Sequence, residues 1–98
     1  MKGRHLLLIP AFVLLAAPSS TVKATLTGVD RVERELRLAG QRVPFVAVFS
    51  SRVTVNGQAV SVSEFWRKVR PGMVVTVKSR NFGAFRVIDT AHVQGEGQ

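Results

Sequence analysis

The sequence lacks cysteine and tyrosine, and it is poor in acidic side chains. Without cysteine the chain has no disulfide framework, no thiolate metal site, no cysteine nucleophile and no lipid-modified cysteine. Six Phe and one Trp are its aromatic residues, and six acids stand against fourteen lysines and arginines among 98 residues. A chain of this length has room for one domain, whose core must hold without covalent cross-links.

The first 24 residues are a segment of a different kind. A short basic start precedes an apolar run over residues 6–17, which is shorter than the roughly 20 residues that a membrane-spanning helix needs. Val22 and Ala24 satisfy the small-residue rule of a signal peptidase site. We therefore predict a signal peptide over residues 1–24, cleaved after Ala24, and a periplasmic or secreted protein. A cut between Ala17 and Ser20, or an uncleaved anchor, is the alternative.

The remainder of the chain, after this leader, is a small basic domain. Loss of the leader removes three basic residues and no acids, so the formal net charge falls from +8 to about +5. We divide the remainder into a domain over residues 25–93 and a polar, disordered tail over residues 94–98. One hydrophobic core is marginal at this size, so dimerisation or docking onto a partner would supplement it.

Short alternating segments separated by turn residues predict five or six strands. The strands are expected within residues 25–32, 35–38, 42–49, 52–60, 73–79 and 84–93. Gly28 predicts a bulge or a sharp bend in the first of them. The pair Asn56-Gly57 favours a type I′ turn, because both residues accept a positive φ, and it makes residues 52–60 a hairpin.

One short helix is expected before the penultimate strand. Ser61 and Glu64 have the spacing of a capping box, in which the Ser61 hydroxyl accepts from the Glu64 amide and the Glu64 carboxylate reaches back. The helix then covers Glu64–Val69 and ends ahead of Pro71, since the residue before proline is pushed out of the α region. The sequence therefore predicts a mainly β fold, a small five- or six-stranded barrel of the OB or SH3 kind.

The pattern of turn glycines and alternating strands has a familiar form. It is carried by Gly28-Val29, Leu36-x-Leu38-x-Gly40, Arg52 to Gly57, Val69 to Val77, and Val87-Ile88. It resembles small exported bacterial β-barrel domains of unknown function. A looser resemblance is to the small accessory proteins of type IV pilus biogenesis, which pair a signal peptide with a similar short β-domain. Both resemblances imply an envelope location and a binding or assembly role, and no catalytic residues carry over.

Chemistry-bearing residues do not assemble into a catalytic or metal-binding pattern. A serine triad needs a histidine base held by an acid, but Asp89 and His92 are three residues apart, which places them on opposite faces of a strand. After the leader, one histidine and scattered acids supply no metal site. We therefore expect a non-enzymatic protein that holds no metal and no cofactor.

A first hypothesis concerns the basic residues, which would form one positive face beside Trp66 and Phe82. They are Arg67, Lys68 and Arg70 at the helix end, and Lys78, Arg80 and Arg86 on the last hairpin, where Arg86 would return to lie near Lys78. Such a face is typical of proteins that bind single-stranded nucleic acid, an alternative function that export argues against. We therefore expect an acidic protein, an anionic lipid or an acidic glycan as the partner. The competing interpretation is a solvated face whose cations stabilise the helix dipole.

A second hypothesis is an assembly role through an apolar docking surface. Its candidate residues are Phe45, Phe49, Trp66 and Phe82. The run from Phe45 to Phe49 is apolar on both faces, so it is either covered, as we expect from the short helix, or exposed and ready to add to another sheet. The function predicted from sequence is thus a non-enzymatic binding or assembly module of the bacterial cell envelope, with a pilus-biogenesis accessory role as the alternative.

Overall fold

The computed structural model describes residues 18–96, which form six strands and one short helix. They are β1 (Ser19–Asp30), β2 (Glu35–Leu38), β3 (Phe45–Val55), β4 (Gln58–Val60), α1 (Val62–Lys68), β5 (Val74–Phe82) and β6 (Phe85–Gln94). The predicted leader lies outside the described residues up to residue 17, as do residues 97 and 98. No helix within residues 18–96 is long and apolar enough to cross a membrane.

The six strands form one sheet that closes on itself. Their order is β2-β1-β5-β6-β3-β4, and a further pairing of β2 with β3 completes a five-stranded ring. Every pairing is antiparallel except that of β3 with β6, and β4 is a short hairpin partner of β3. With α1 between the third and fourth strands of the ring, this is the OB arrangement. The prediction of a small mainly β barrel with one helix before the penultimate strand is confirmed.

The core is built from alternate side chains of the ring strands and from one face of the helix. Its buried members are Leu26, Leu36, Leu38, Phe45, Ala47, Val53, Val55, Phe65, Trp66, Val69, Met73, Val75, Val77, Ile88, Ala91 and Val93. On β6 the simple alternation of inward and outward residues does not hold over the whole strand. Ile88, Ala91 and Val93 are the buried residues, because an extra residue, Asp89, shifts the phase of the alternation.

The predicted turns and caps are present. Asn56 and Gly57 have φ of 50° and 85°, the type I′ geometry expected of the β3–β4 hairpin. The Ser61 hydroxyl accepts from the Glu64 amide at 3.1 Å and begins α1. The Glu64 carboxylate does not reach back but turns along the helix, so only half of the capping box forms. It forms ion pairs with Arg67 and Lys68.

Strand β1 begins six residues earlier than the sequence pattern predicts. Residues 19–25 pair with β5, and residues 26–30 pair with β2. Cleavage after Ala24 would therefore divide a paired strand, whereas the alternative cut between Ala17 and Ser20 would leave nearly all of it intact. The position of cleavage stays a prediction. At the other end, Gln94 completes β6 and Gly95 forms hydrogen bonds with Asn56, so the expected disordered tail is structured at its start.

We expect a protein that begins at Thr25 to be mostly unfolded at room temperature, whereas one that begins at Ser19 folds. Val22 and Ala24 lie opposite Val77 and Val75, both fully buried, and the shorter chain loses this cover and its ladder hydrogen bonds. A domain of this size is stable by only about 5 kcal/mol. Urea unfolding followed by circular dichroism compares the two proteins, and equal midpoints would contradict the expectation.

Arg31, in the turn after β1, ties that turn to the helix end. Its Nε donates to the Trp66 carbonyl and its Nη2 donates to the Val69 carbonyl, each at 2.6 Å. These carbonyls belong to the last turn of α1 and the residue that ends it, where a helix has no intrahelical donors left and where positive charge is favourable. One exposed guanidinium thus joins β1 to the only helix within residues 18–96.

Replacing Arg31 by Met should lower the free energy of unfolding by about 1–2 kcal/mol, because both charged hydrogen bonds are lost. The control is Arg37→Met, which removes an exposed guanidinium that makes one long bond of 3.4 Å within residues 18–96. Chemical denaturation of the three proteins gives the comparison. If Arg31→Met is no more destabilising than Arg37→Met, the two hydrogen bonds of Arg31 do not contribute to stability.

Candidate functional site

Three of the predicted basic residues surround the C-terminal end of α1 and are engaged there. Arg67 and Lys68 pair with Glu64 at 2.8 Å and 3.7 Å. Arg70 Nη1 donates to the carbonyls of Arg67 and Val69, at 2.9 Å each. Cations that satisfy helix-end carbonyls and an acid one turn away have a structural role. This geometry is that of the competing interpretation, in which these charges stabilise the helix.

The other three basic residues lie on the β5–β6 hairpin but on different sides of the sheet. Lys78 and Arg80 alternate with buried residues of β5 and project from its outer face. Arg86 lies on the inner side at the mouth of the barrel, where Nε donates to Ser79 Oγ at 3.0 Å and Nη2 donates to Ser20 Oγ at 2.6 Å. Arg86 lies opposite Asn81 in the ladder and not beside Lys78, contrary to the prediction.

The six basic residues therefore do not form the single positive face that the sequence suggests. Strand β5 starts next to the helix end at Val74, and Arg80 follows six residues later. At about 3.3 Å per residue this places Lys78 about 13 Å and Arg80 about 20 Å from the helix end along the strand. Basic residues close in sequence are thus divided between the two ends and the two faces of the barrel.

Two of the four predicted docking residues are part of the core. Phe45 has no exposed surface, and Trp66 is 5% exposed with its ring edge-on to Phe65 at a centroid distance of 5.4 Å. Phe45 starts β3 on its inward face, and α1 packs against the same strand, but the expected cover of the run does not extend to Phe49. Trp66 faces the core and is not an anchor at the surface. Phe49 and Phe82 are 93% and 64% exposed and remain candidates.

Phe49 owes its exposure to a wide bulge in β3. Ala47 pairs with Ile88 and Arg52 pairs with Thr90, so four residues of β3 stand against one residue of β6. The Ser51 hydroxyl closes the base of the bulge: it accepts from the Val48 amide at 2.9 Å and donates to the Ile88 carbonyl at 2.6 Å. In the sequence, this bulge corresponds to the Ser50-Ser51 pair between two alternating runs. The same pattern is equally consistent with a break between two separate strands.

A concave site lies beside this bulge, and we call it the bulge cleft. Its volume is about 390 Å³, and it is lined by Val48, Ser50, Arg52, Arg80, Val87, Ile88, Asp89 and Thr90. Arg80 holds Asp89 through Nε at 3.1 Å and Nη2 at 2.9 Å. Arg52 is exposed, and among residues 18–96 its guanidinium has neither an ion-pair partner nor a hydrogen-bond partner.

Cross-strand pairing adds a further cation to the edge of the cleft. Arg52, Thr90 and Lys78 occupy successive positions across β3, β6 and β5, and all three project from the outer face. Neighbouring strands are about 4.8 Å apart, so the two long cationic side chains flank the Thr90 hydroxyl from either side. Sequence analysis missed Arg52 and Thr90, because only the register of the ladder shows that they are neighbours of Lys78.

Apolar side chains continue from the cleft to the tip of the β5–β6 hairpin. Phe82 and Phe85 pair there with ring centroids 5.6 Å apart. Val87 follows on the same outer face and lines the cleft together with Val48. With Phe49, which is exposed at the bulge, these five residues make up what we call the apolar strip.

Asp89 and His92, two further titratable residues of β6, are engaged. The bulge at Asp89 brings Asp89 and His92 to the same face, so the predicted opposite placement is wrong, but Asp89 is held by Arg80. His92 Nδ1 lies 2.7 Å from Thr54 Oγ1. Among the described residues, no three histidines or acids come together as metal ligands would.

The fold is a small OB-type barrel with a cleft on its outer face. One solved structure is similar to it in fold. It is the fimbrial biogenesis protein PilY2 from Pseudomonas aeruginosa PAO1, with a TM-score of 0.57 over 78% of this chain and 87% of that chain. The two sequences are 13% identical, so the match shows a common fold. It agrees with the looser resemblance to pilus-biogenesis proteins. No family model and no curated protein matches the chain.

Proposed function

We propose that this chain is a non-catalytic binding module of the bacterial cell envelope that serves pilus biogenesis by docking onto another protein. The observation that carries the proposal is the common fold with PilY2, which is a fimbrial biogenesis protein and is matched over most of both chains. A periplasmic or cell-surface location follows from the proposal, and it agrees with the leader predicted from the sequence.

The apolar strip supports docking onto a protein. Phe49 and Phe82 are largely exposed, Phe82 pairs with Phe85 at the hairpin tip, and Val48 and Val87 line the cleft. Small soluble domains seldom expose contiguous aromatic surface unless it meets a partner. Aromatic residues are also enriched in the buried centres of protein interfaces. A strip of this kind favours an assembly role over a reaction.

The distribution of charge favours a protein partner over a polyanion. The helix-end cations are engaged by Glu64 and by backbone carbonyls, and Arg86 faces the mouth of the barrel. A nucleic acid or an acidic glycan would need a continuous basic track on one face. The six basic residues predicted as one face are divided between two ends and two sides of the barrel, which makes the polyanion-binding alternative the weaker one.

In cells that lack the gene, surface pili should be reduced, and a copy that carries Phe49→Asp should fail to restore them. The substituted side chain is exposed, so the fold is retained while a charge enters the apolar strip. We expect partner binding to fall by roughly tenfold or more, as for a central aromatic contact. Electron-microscopic counts of pili and twitching motility measure the effect.

The control is Ala39→Asp, which introduces the same charge in the exposed turn after β2. It should restore pili fully. Normal pili in the deletion strain would overturn the role in biogenesis. Full restoration by Phe49→Asp would leave that role standing and overturn the apolar strip as the docking surface. Trp66→Ala is unsuitable for this purpose, since Trp66 is buried and its loss would report on folding.

A further inference from the structure

We infer that the bulge cleft binds an acidic segment of a protein partner. Arg52 and Lys78 would hold its carboxylates above the Thr90 hydroxyl, and an apolar side chain of the segment would rest against Val48 and Val87. The inference rests on the proposed function, because it names the chemistry of the partner that docks there.

Arg52 is the residue that points to a ligand. Near it, Arg80 is committed to Asp89, and at the other end of the barrel the helix-end cations are committed to Glu64 and to carbonyls. Arg52 has no such partner among residues 18–96, yet it lines a concave site. A guanidinium presents a planar fork of donors that matches a carboxylate in a bidentate pair. A guanidinium without a partner at the wall of a cleft is suited to binding a carboxylate.

The cross-strand row supplies the rest of the polar site. Lys78 lies two strands away from Arg52, on the same outer face, with Thr90 between them. A carboxylate bound over Thr90 could accept from its hydroxyl and from either cation. Asp89 does not oppose this, because Arg80 neutralises it at 2.9 Å. The end of the cleft near Arg52 and Lys78 therefore has a net positive charge.

The shape of the cleft favours a peptide over a membrane surface. Val48 and Val87 make an apolar wall, and a volume of about 390 Å³ accommodates a few side chains. A bilayer of anionic lipids is broad and flat, and it attracts a basic surface without acids. The cleft has an apolar wall, two cations at one end and an ion pair inside. These features fit a peptide segment on which acidic and apolar side chains alternate.

The test uses a short synthetic peptide that alternates glutamate and leucine, titrated into the ¹⁵N-labelled protein and followed by NMR. We expect the amide signals of Ser50, Arg52, Val87 and Thr90 to shift, and the affinity to fall about tenfold or more in Arg52→Glu and in Lys78→Glu. The control variant is Arg37→Glu, which makes the same charge change on β2 and should bind as the wild type. Circular dichroism verifies that each variant is folded.

Three matched probes separate the outcomes. A peptide with glutamine in place of glutamate should cause little shift, and so should inorganic phosphate. Vesicles of phosphatidylglycerol should bind weakly and without dependence on Arg52. The inference is overturned if the glutamate peptide shifts signals elsewhere, if Arg37→Glu weakens binding as much as Arg52→Glu, or if vesicles bind through Arg52 while the peptide does not.

Failure of this inference is distinguishable from failure of the proposed function. If the acidic peptide does not bind the cleft but Phe49→Asp still abolishes pili, the partner chemistry inferred for the cleft is wrong and the docking role stands. If the peptide binds through Arg52 in a protein whose deletion leaves pili unchanged, the cleft recognises acidic segments for a different process.

Discussion

The fold depends on how β1 divides its hydrogen bonds between two neighbours. Residues 19–25 pair with β5 and residues 26–30 with β2, so one bent strand joins both sides of the ring. The bend falls near Gly28, where a Cβ atom would lie 3.4 Å from the Cβ of Arg37. Closure removes the open edges that a small sheet without disulfides would otherwise expose to other chains. The core, the faces and the cleft all follow from this ring.

Closure also determines where function can lie. The interior is filled with aliphatic side chains and with the aromatic rings of Phe45, Phe65 and Trp66. Recognition therefore has to use the outer face or the places where the ladder is interrupted. The bulge of β3 is such a place, since four residues leave the pairing with β6 and project Phe49 outward while Ser51 secures their base. The cleft is a consequence of that interruption.

Much of the fold could be predicted from local sequence signals, and most of the candidate site could not. Asn56-Gly57 and Ser61 determine their turn and cap within a few residues, so pattern alone locates the hairpin and the helix. The inward and outward faces could not be predicted over the whole of β6, because one inserted residue, Asp89, reverses the alternation. Likewise, the apolar run that begins at Phe45 gives no indication of which face is buried, and only its tertiary partners decide it.

The arginines show why a charge count is a poor guide to a binding site. Arg31 and Arg70 donate to carbonyls at the end of α1, and Arg80 forms an ion pair with Asp89. The charge of each of these arginines is therefore largely compensated by neighbouring groups. Such groups add to net charge and to long-range attraction, which salt screens within about 10 Å. Arg52 differs because it lines a concave surface without a partner in the described chain. Specific recognition requires a cation that is both positioned and available, and we propose Arg52, beside the bulge in β3, as that residue.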